Sequence, residues 1–160
     1  MVRIAVGMGI AKVRLTGGEP LVRRVVIDFI AQLKQIPDLD DVRITTNGTL
    51  LAQHAQALQA MGVTKVNISL DSLRKERVAQ ITGVDCYDQV WSGIQTVLAL
   101  GFTTVKLNMV AMRHFNDDEL LDFARMTRHT PLQVRFIEFM PIGNSSRWSP
   151  ETYISTDEIM

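Results

Sequence analysis

Five short stretches of the chain alternate apolar and polar residues with a period of two. Longer stretches between them carry apolar residues at intervals of three and four. The first pattern predicts strands and the second amphipathic helices. The strands are expected over Lys12–Thr16, Val42–Thr46, Lys65–Leu70, Thr104–Val110 and Leu132–Ile137. A helix is expected over Leu21–Gln35, with Val22, Val25, Val26, Phe29, Ile30 and Leu33 as its apolar set. Further helices are expected over Leu50–Met61, over a short stretch ending near Gly83, over Tyr87–Leu100 and over Asp117–Arg128. Asn47-Gly48 suggests a hairpin, but the helical pattern after it favours a βα turn. Asp71-Ser72 offers cap chemistry to the helix that follows, and the spacing of Ser69 and Asp71 reads as capping. Asp117, Asp118 and Glu119 would sit at the positive end of a helix dipole. Residues 1–11 read as the last turns of a helix ending at Gly9. After Met140-Pro141, GNSSRWSP reads as a loop with no strong element beyond it.

Alternating strands and helices argue for parallel βα units with right-handed crossovers. An open doubly wound sheet and part of a βα barrel both satisfy this. The residue alternation favours the barrel. One face of the strands reads Lys12, Arg14, Thr16; Arg43, Thr45, Asn47; Asn67, Ser69, Asp71; Lys106, Asn108; and Gln133, Arg135. The other face is apolar throughout. Helix-covered parallel strands ordinarily read apolar on both faces, so the polar face would line a wet lumen. The fold class expected is α/β, a partial parallel βα barrel of about five units in one domain over residues 1–160. Five cations, Lys12, Arg14, Arg43, Lys106 and Arg135, against Asp71 and nearby Glu19 suit a polyphosphate anion. Strand-end cations that reach water are the plainer reading.

Composition narrows the classes. Of 160 residues, 46% are hydrophobic and 21% charged, as in an ordinary globular chain. Seventeen basic and seventeen acidic residues cancel, which gives no support to nucleic-acid or membrane-surface binding. One cysteine, Cys86, allows no internal disulfide and no cysteine-only metal site. A reducing, cytoplasmic setting is expected. No apolar run reaches membrane-spanning length, and the start, MVRIAVGMGIAK, does not read as a signal peptide. His54, His114 and His129 lack metal-ligand spacing, no metal ligand is expected, and Cys86 reads as a bystander.

The stretch KVRLTGGEP at Lys12–Pro20 organises the rest. It is a strand, a Gly-Gly turn, an acid and a proline suited to a helix start. This leaves main-chain N–H groups open to a ligand at the strand's C-terminal end. By itself the Gly-Gly pair also reads as an ordinary tight turn.

With KVRLTGGEPLVRR at Lys12–Arg24, ITTNG at Ile44–Gly48, VNISLDSL at Val66–Leu73, ITG at Ile81–Gly83, VKLNMV at Val105–Val110 and VRFIEFMPIG at Val134–Gly143, the chain resembles the radical S-adenosylmethionine (SAM) enzymes. Within them it is most similar to the GTP 3′,8-cyclase family of molybdenum cofactor biosynthesis. The resemblance implies an incomplete barrel. It implies that Gly17, Gly18, Glu19, Ser69 and Met140 bind SAM, with Glu19 at its amino group. It implies that Lys12, Arg14, Thr45 and Lys106 contact GTP and that Arg135 is a catalytic arginine. The implied reaction uses a 5′-deoxyadenosyl radical, generated at a [4Fe-4S] cluster, to convert GTP to 3′,8-cyclo-7,8-dihydro-GTP. A homodimer is implied for the intact enzyme.

The chain departs from the family at both ends. The CxxxCxxC cluster motif expected before the GGEP strand is absent, as are the cysteines and arginines of a C-terminal part. One cysteine cannot ligate a [4Fe–4S] cluster. The chain therefore reads as a central fragment, inactive alone. The alternatives are a non-catalytic half-barrel that binds a nucleotide or SAM beside a partner chain, or another radical SAM enzyme.

Overall fold

The structure, a computed structural model, describes residues 1–141 and 148–160. Among these, five parallel strands form one sheet in the order β1-β2-β3-β4-β5. They are β1 (Lys12–Leu15), β2 (Asp41–Thr46), β3 (Lys65–Ser69), β4 (Thr104–Ala111) and β5 (Leu132–Glu138). The helices are α1 (Val2–Gly7), α2 (Val26–Lys34), α3 (Leu51–Ala60), α4 (Lys75–Thr82), α5 (Tyr87–Ala99), α6 (Leu120–Met126) and α7 (Thr156–Ile159). β1 and β5 are the sheet's edges, so the barrel is partial and not closed among the described residues.

The chain divides into two compact units. One is Met1–Ile68 with Asp88–Val105; the other is Ser69–Tyr87 with Lys106–Met160. In the first, β1 pairs with β2 and β2 with β3, placing Lys12 beside Asp41, Arg14 beside Arg43 and Thr45 beside Asn67. α2 packs on α3. Ile30, Leu33, Ile44, Leu51, Leu58, Ile68, Ile94 and Val97 are buried. Burying each such side chain stabilises by about 1.5–3 kcal/mol. The Asn47-Gly48 turn leads into α3, as the helical pattern required. Gly48 has φ 83°, and a Cβ there would lie 3.0 Å from side-chain carbons of both Ile68 and Val90. In the second unit β5 packs against α6 and α7, and Phe123 and Leu107 are fully buried.

β2 and β4 alternate between half-buried and buried positions along their whole length, the pattern expected of a wet face and a packed face. Several local expectations need correction. The helix expected over Leu21–Gln35 is a 3₁₀ turn, Pro20–Val22, followed by α2 from Val26. Arg23 between them is extended (ψ 120°), which rotates the stripe. Val26, Ile30 and Leu33 are buried, whereas Val22, Val25 and Phe29 are exposed. Asp71 and Ser72 do not cap α4: its N-cap is Arg74, without a side-chain bond. Asp117–Glu119 is a 3₁₀ turn, and α6 starts only at Leu120. The element missed after Pro141 is α7, closed by a reciprocal capping box between Ser155 and Glu158. Of the expected GNSSRWSP loop, residues 143–147 lie outside the described residues.

Candidate functional site

In the first unit the site grows from the end of β1. Gly17 has φ 127°, a conformation glycine adopts without the strain a Cβ would bring. A Cβ at Gly17 or Gly18 would meet nothing within 4 Å, so open space lies over the turn. Glu19 then does three things. Its Oε1 accepts from the Leu21 amide at 3.0 Å, capping the 3₁₀ turn, and from Thr46 Oγ1 at 2.7 Å. Its Oε2 accepts from the Asn47 amide at 2.6 Å. Thr46 Oγ1 in turn accepts from the Gly48 amide at 3.0 Å. One carboxylate thereby ties the Gly-Gly turn to the end of β2. Each carboxylate oxygen can accept two hydrogen bonds. Oε1 is full and, among the described residues, Oε2 has room for one more donor, such as an ammonium, so the residues present fit the amino group of SAM.

The polar face of this unit needs one correction. β2 starts at Asp41, one residue earlier than its apolar pattern indicates, and Asp41 falls on the same face as Arg43. Asp41 Oδ2 accepts from Arg43 Nη2 at 2.6 Å and Nε at 2.9 Å, and lies 3.2 Å from Lys65 Nζ. The Arg43 guanidinium holds the Asp41 carboxyl below its ordinary range, and desolvation only partly opposes this. Arg43 is therefore neutralised within the chain. Lys12 and Arg14 are exposed, and Thr45 is half-buried.

In the second unit Ser69 is exposed at the end of β3, Lys106 is half-buried on β4, Arg135 is exposed on β5, and Met140 follows β5 and is exposed. A cavity of about 460 Å³ is lined mainly by apolar groups, among them Ile81, Val110, Met112, Phe115, Phe139 and Met140, with Asp71 in its wall. Its size suits a small ligand. Asp71 Oδ1 accepts from the Val110 amide at 2.8 Å. Burial raises the Asp71 pKa above the ordinary carboxylate value, and this amide bond opposes the rise.

Two buried residues that the sequence did not assign to the site, Asn116 and Glu119, shape this end of the unit. Asn116 donates to the Asp71 carbonyl at 2.7 Å and the Val110 carbonyl at 2.9 Å, and its Oδ1 accepts from the Met112 amide at 2.7 Å. It thus joins the ends of β3 and β4. Glu119, 1% exposed, accepts from Ser72 Oγ at 2.8 Å and the Leu73 amide at 2.6 Å, and pairs with Arg77. Arg77 also bonds Asp118 at 2.6 Å and lies 6.0 Å from the centre of the Phe115 ring. Glu119 was expected to serve its own helix dipole; it serves the loop after β3 instead. The NDDE run carries no local signal of partners more than forty residues away.

The expected SAM set divides into Gly17, Gly18 and Glu19 in the first unit and Ser69 and Met140 in the second. The expected GTP set divides into Lys12, Arg14 and Thr45 in the first and Lys106 in the second, which also holds Arg135. Among the described residues no group of three His, Cys, Asp or Glu side chains could hold a metal ion. These residues do not fit a [4Fe–4S] cluster. No helix among the described residues is long and apolar enough to cross a membrane.

The family signature described as the Radical SAM superfamily matches residues 1–127. The chain is 49% identical over 159 residues to the GTP 3′,8-cyclase of Moorella thermoacetica, covering 99% of this chain and 49% of that protein. It is 47% identical over 160 residues to the GTP 3′,8-cyclase of Alkaliphilus oremlandii, covering 100% and 50%. The chain spans about half the length of the curated relatives it matches. Among solved structures it is similar to a radical SAM methyltransferase from Sphaerobacter thermophilus, with TM-score 0.73, 16% identity, and coverage of 98% of this chain and 48% of that one. It is also similar to a domain of the pyruvate-formate lyase-activating enzyme from Bacteroides vulgatus, with TM-score 0.66, 19% identity, and coverage of 91% and 86%. At these identities the structural likeness bears on the fold alone.

Proposed function

This chain belongs to the Radical SAM superfamily, and from that premise we propose that it forms the SAM- and GTP-binding part of a GTP 3′,8-cyclase of molybdenum cofactor biosynthesis. The observation that carries the reading is the identity of 47–49% to proteins of that name over essentially the whole chain. The proposal treats residues 1–160 as one radical SAM core.

In this reading the open Gly17-Gly18 turn receives the methionine end of SAM, and the spare acceptor of Glu19 Oε2 takes its amino group. In the second unit, Ser69 and the Met140 main chain are taken as further SAM contacts. The apolar cavity beside Met140 is of a size to take a planar ring. When bound, SAM supplies the radical chemistry. In the first unit Lys12 and Arg14 on β1 offer cations suited to a triphosphate and Thr45 offers a hydroxyl; in the second, Lys106 on β4 offers a cation and Arg135 a charge for a nucleotide. The one cysteine in these residues holds no cluster, so the chain by itself would not cyclise GTP.

Calorimetric titration of the purified chain with GTP and with ATP tests the reading. GTP binding is expected to exceed ATP binding and to weaken about tenfold in Arg14→Ala and in Lys106→Ala, a factor equal to one charged hydrogen bond. A well-folded chain with no GTP affinity, or one indifferent to both substitutions, would refute it. Cyclised GTP formed by this chain alone after anaerobic iron–sulfur reconstitution would overturn the expected inactivity.

A further inference from the structure

Asn47 alone of the chain's asparagines precedes a glycine. Glycine has no side chain to shield its nitrogen, so in an Asn-Gly pair that nitrogen closes most readily on the asparagine side chain. Asn47 is exposed to water at the end of β2. In the folded chain, however, both reacting groups are engaged. The Gly48 amide donates to Thr46 Oγ1 at 3.0 Å, in a bond shielded from solvent. Thr46, 2% exposed, is turned to receive it because its own hydroxyl donates to Glu19 Oε1 at 2.7 Å. Asn47 Oδ1 accepts from the Thr49 amide at 3.0 Å and from the Thr49 hydroxyl at 2.8 Å. The Asn47 amide donates to Glu19 Oε2 at 2.6 Å. All these residues belong to the first unit. Before it can attack, the Gly48 nitrogen must give its proton to water and free an electron pair. A shielded, hydrogen-bonded N–H does neither until the structure opens locally.

We propose that Asn47 is a site of spontaneous deamidation, and that opening of the Glu19–Thr46 clasp, rather than of the whole fold, sets its rate. The Gly48 nitrogen, its proton lost to water, forms a bond to Asn47 Cγ. The bond from Cγ to the side-chain nitrogen breaks, and ammonia leaves with a proton returned by water. Water then opens the resulting succinimide at either carbonyl, giving aspartate or isoaspartate, with nothing oxidised or reduced. Aspartate sets a second carboxylate beside Glu19, and like charges at that distance repel. Isoaspartate adds a methylene to the main chain between β2 and α3. Either product disfavours reclosure, so a passing opening of the clasp becomes a permanent change. The step needs no ligand and stands apart from the proposed function.

The test incubates the chain at mildly alkaline pH, folded and in guanidinium chloride, beside its Thr46→Val and Thr46→Ser variants. Conversion is read by sequencing the tryptic peptide Ile44–Lys65 in a mass spectrometer, with isoaspartate counted by enzymatic methylation. The folded parent should convert Asn47 more slowly than the unfolded parent by about tenfold or more. Thr46→Val, which removes the hydroxyl at nearly constant shape, should convert about tenfold faster than the folded parent, the worth of one hydrogen bond. Its β2 amides should stay protected from hydrogen exchange. Thr46→Ser keeps the hydroxyl and should match the parent. Conversion in the folded parent as fast as in guanidinium chloride overturns the inference. So does a Thr46→Val no faster than the parent, or a Thr46→Ser as fast as Thr46→Val. If Thr46→Val loses its β2 protection, Glu19→Gln takes its place: faster conversion in that folded variant supports the clasp, and an unchanged rate overturns it.

Discussion

Glu19 joins two elements that are not adjacent in sequence, and its replacement separates structural from ligand-binding roles. Replacing it with alanine removes the acceptor of the Leu21 amide, of Thr46 Oγ1 and of the Asn47 amide. A hydrogen bond to a charged group contributes roughly 1.5–3 kcal/mol when shielded and much less where water can replace it. The Asn47 bond is exposed and contributes little. The Thr46 and Leu21 bonds are part-buried. Glu19→Ala should therefore cost about 3 kcal/mol, which for a chain of this size lowers Tm by roughly 6–12 °C. Glu19→Gln should cost less. Its carbonyl can still serve Leu21 and Thr46, while its NH₂ would face the Asn47 N–H, donor against donor. Thermal melting followed by far-ultraviolet circular dichroism measures both. A loss below about 1 kcal/mol in Glu19→Ala would refute the argument that this carboxylate clasps the turn to β2. The ligand role then reads out separately: Glu19→Gln should lose SAM affinity beyond what its modest loss of stability explains.

Glu119→Ala should destabilise by about 3 kcal/mol, because it leaves Ser72 Oγ and the Leu73 amide without their acceptor and Arg77 with Asp118 alone; urea unfolding checks this, and a change under about 1 kcal/mol would contradict it. Gly17→Ala should cost about 1–3 kcal/mol through backbone strain at φ 127°. Gly18→Ala has neither positive φ nor a close neighbour, so its Tm should stay within about 2 °C of the parent's, a contrast that melting curves reveal directly. Asp71 has a folded-state pKa raised by burial, so it favours folding below its ordinary carboxylate pKa and loses that contribution as pH rises through the raised value. Asp71→Asn, which keeps an acceptor for Val110, should accordingly be at least as stable as the parent at neutral pH and show a flatter stability–pH profile. Glu158 has the opposite sign: its pKa is lowered to about 2, first by the Arg113 hydrogen bond. Its contribution is present above the ordinary glutamate value and fades as pH falls towards about 2, which Glu158→Gln should abolish.

Strand positions, their alternation and the βα order were legible in the sequence because each depends on neighbours two to four residues away. Val42 and Ile44 against Arg43 and Thr45 specify a packed and a wet face whatever surrounds them. The capping box of α7, missed in the sequence, was equally local: Ser155-Thr156-Asp157-Glu158 spells it out. Motif order likewise pointed to the family before any coordinate did. The pairing of charges and the partners of buried polar groups were of another kind. Asp41 neutralises Arg43 only because β2 begins one residue earlier than its apolar pattern shows. Glu119 lies 46 residues from the Leu73 amide it accepts, and Glu19 lies 28 from the Asn47 amide. Propensity and periodicity reach only a few residues along the chain. Which carboxylate meets which distant donor is decided when packing expels water from the elements that carry them, and so only the tertiary structure shows Glu19 as a clasp and Glu119 as the acceptor of the loop after β3.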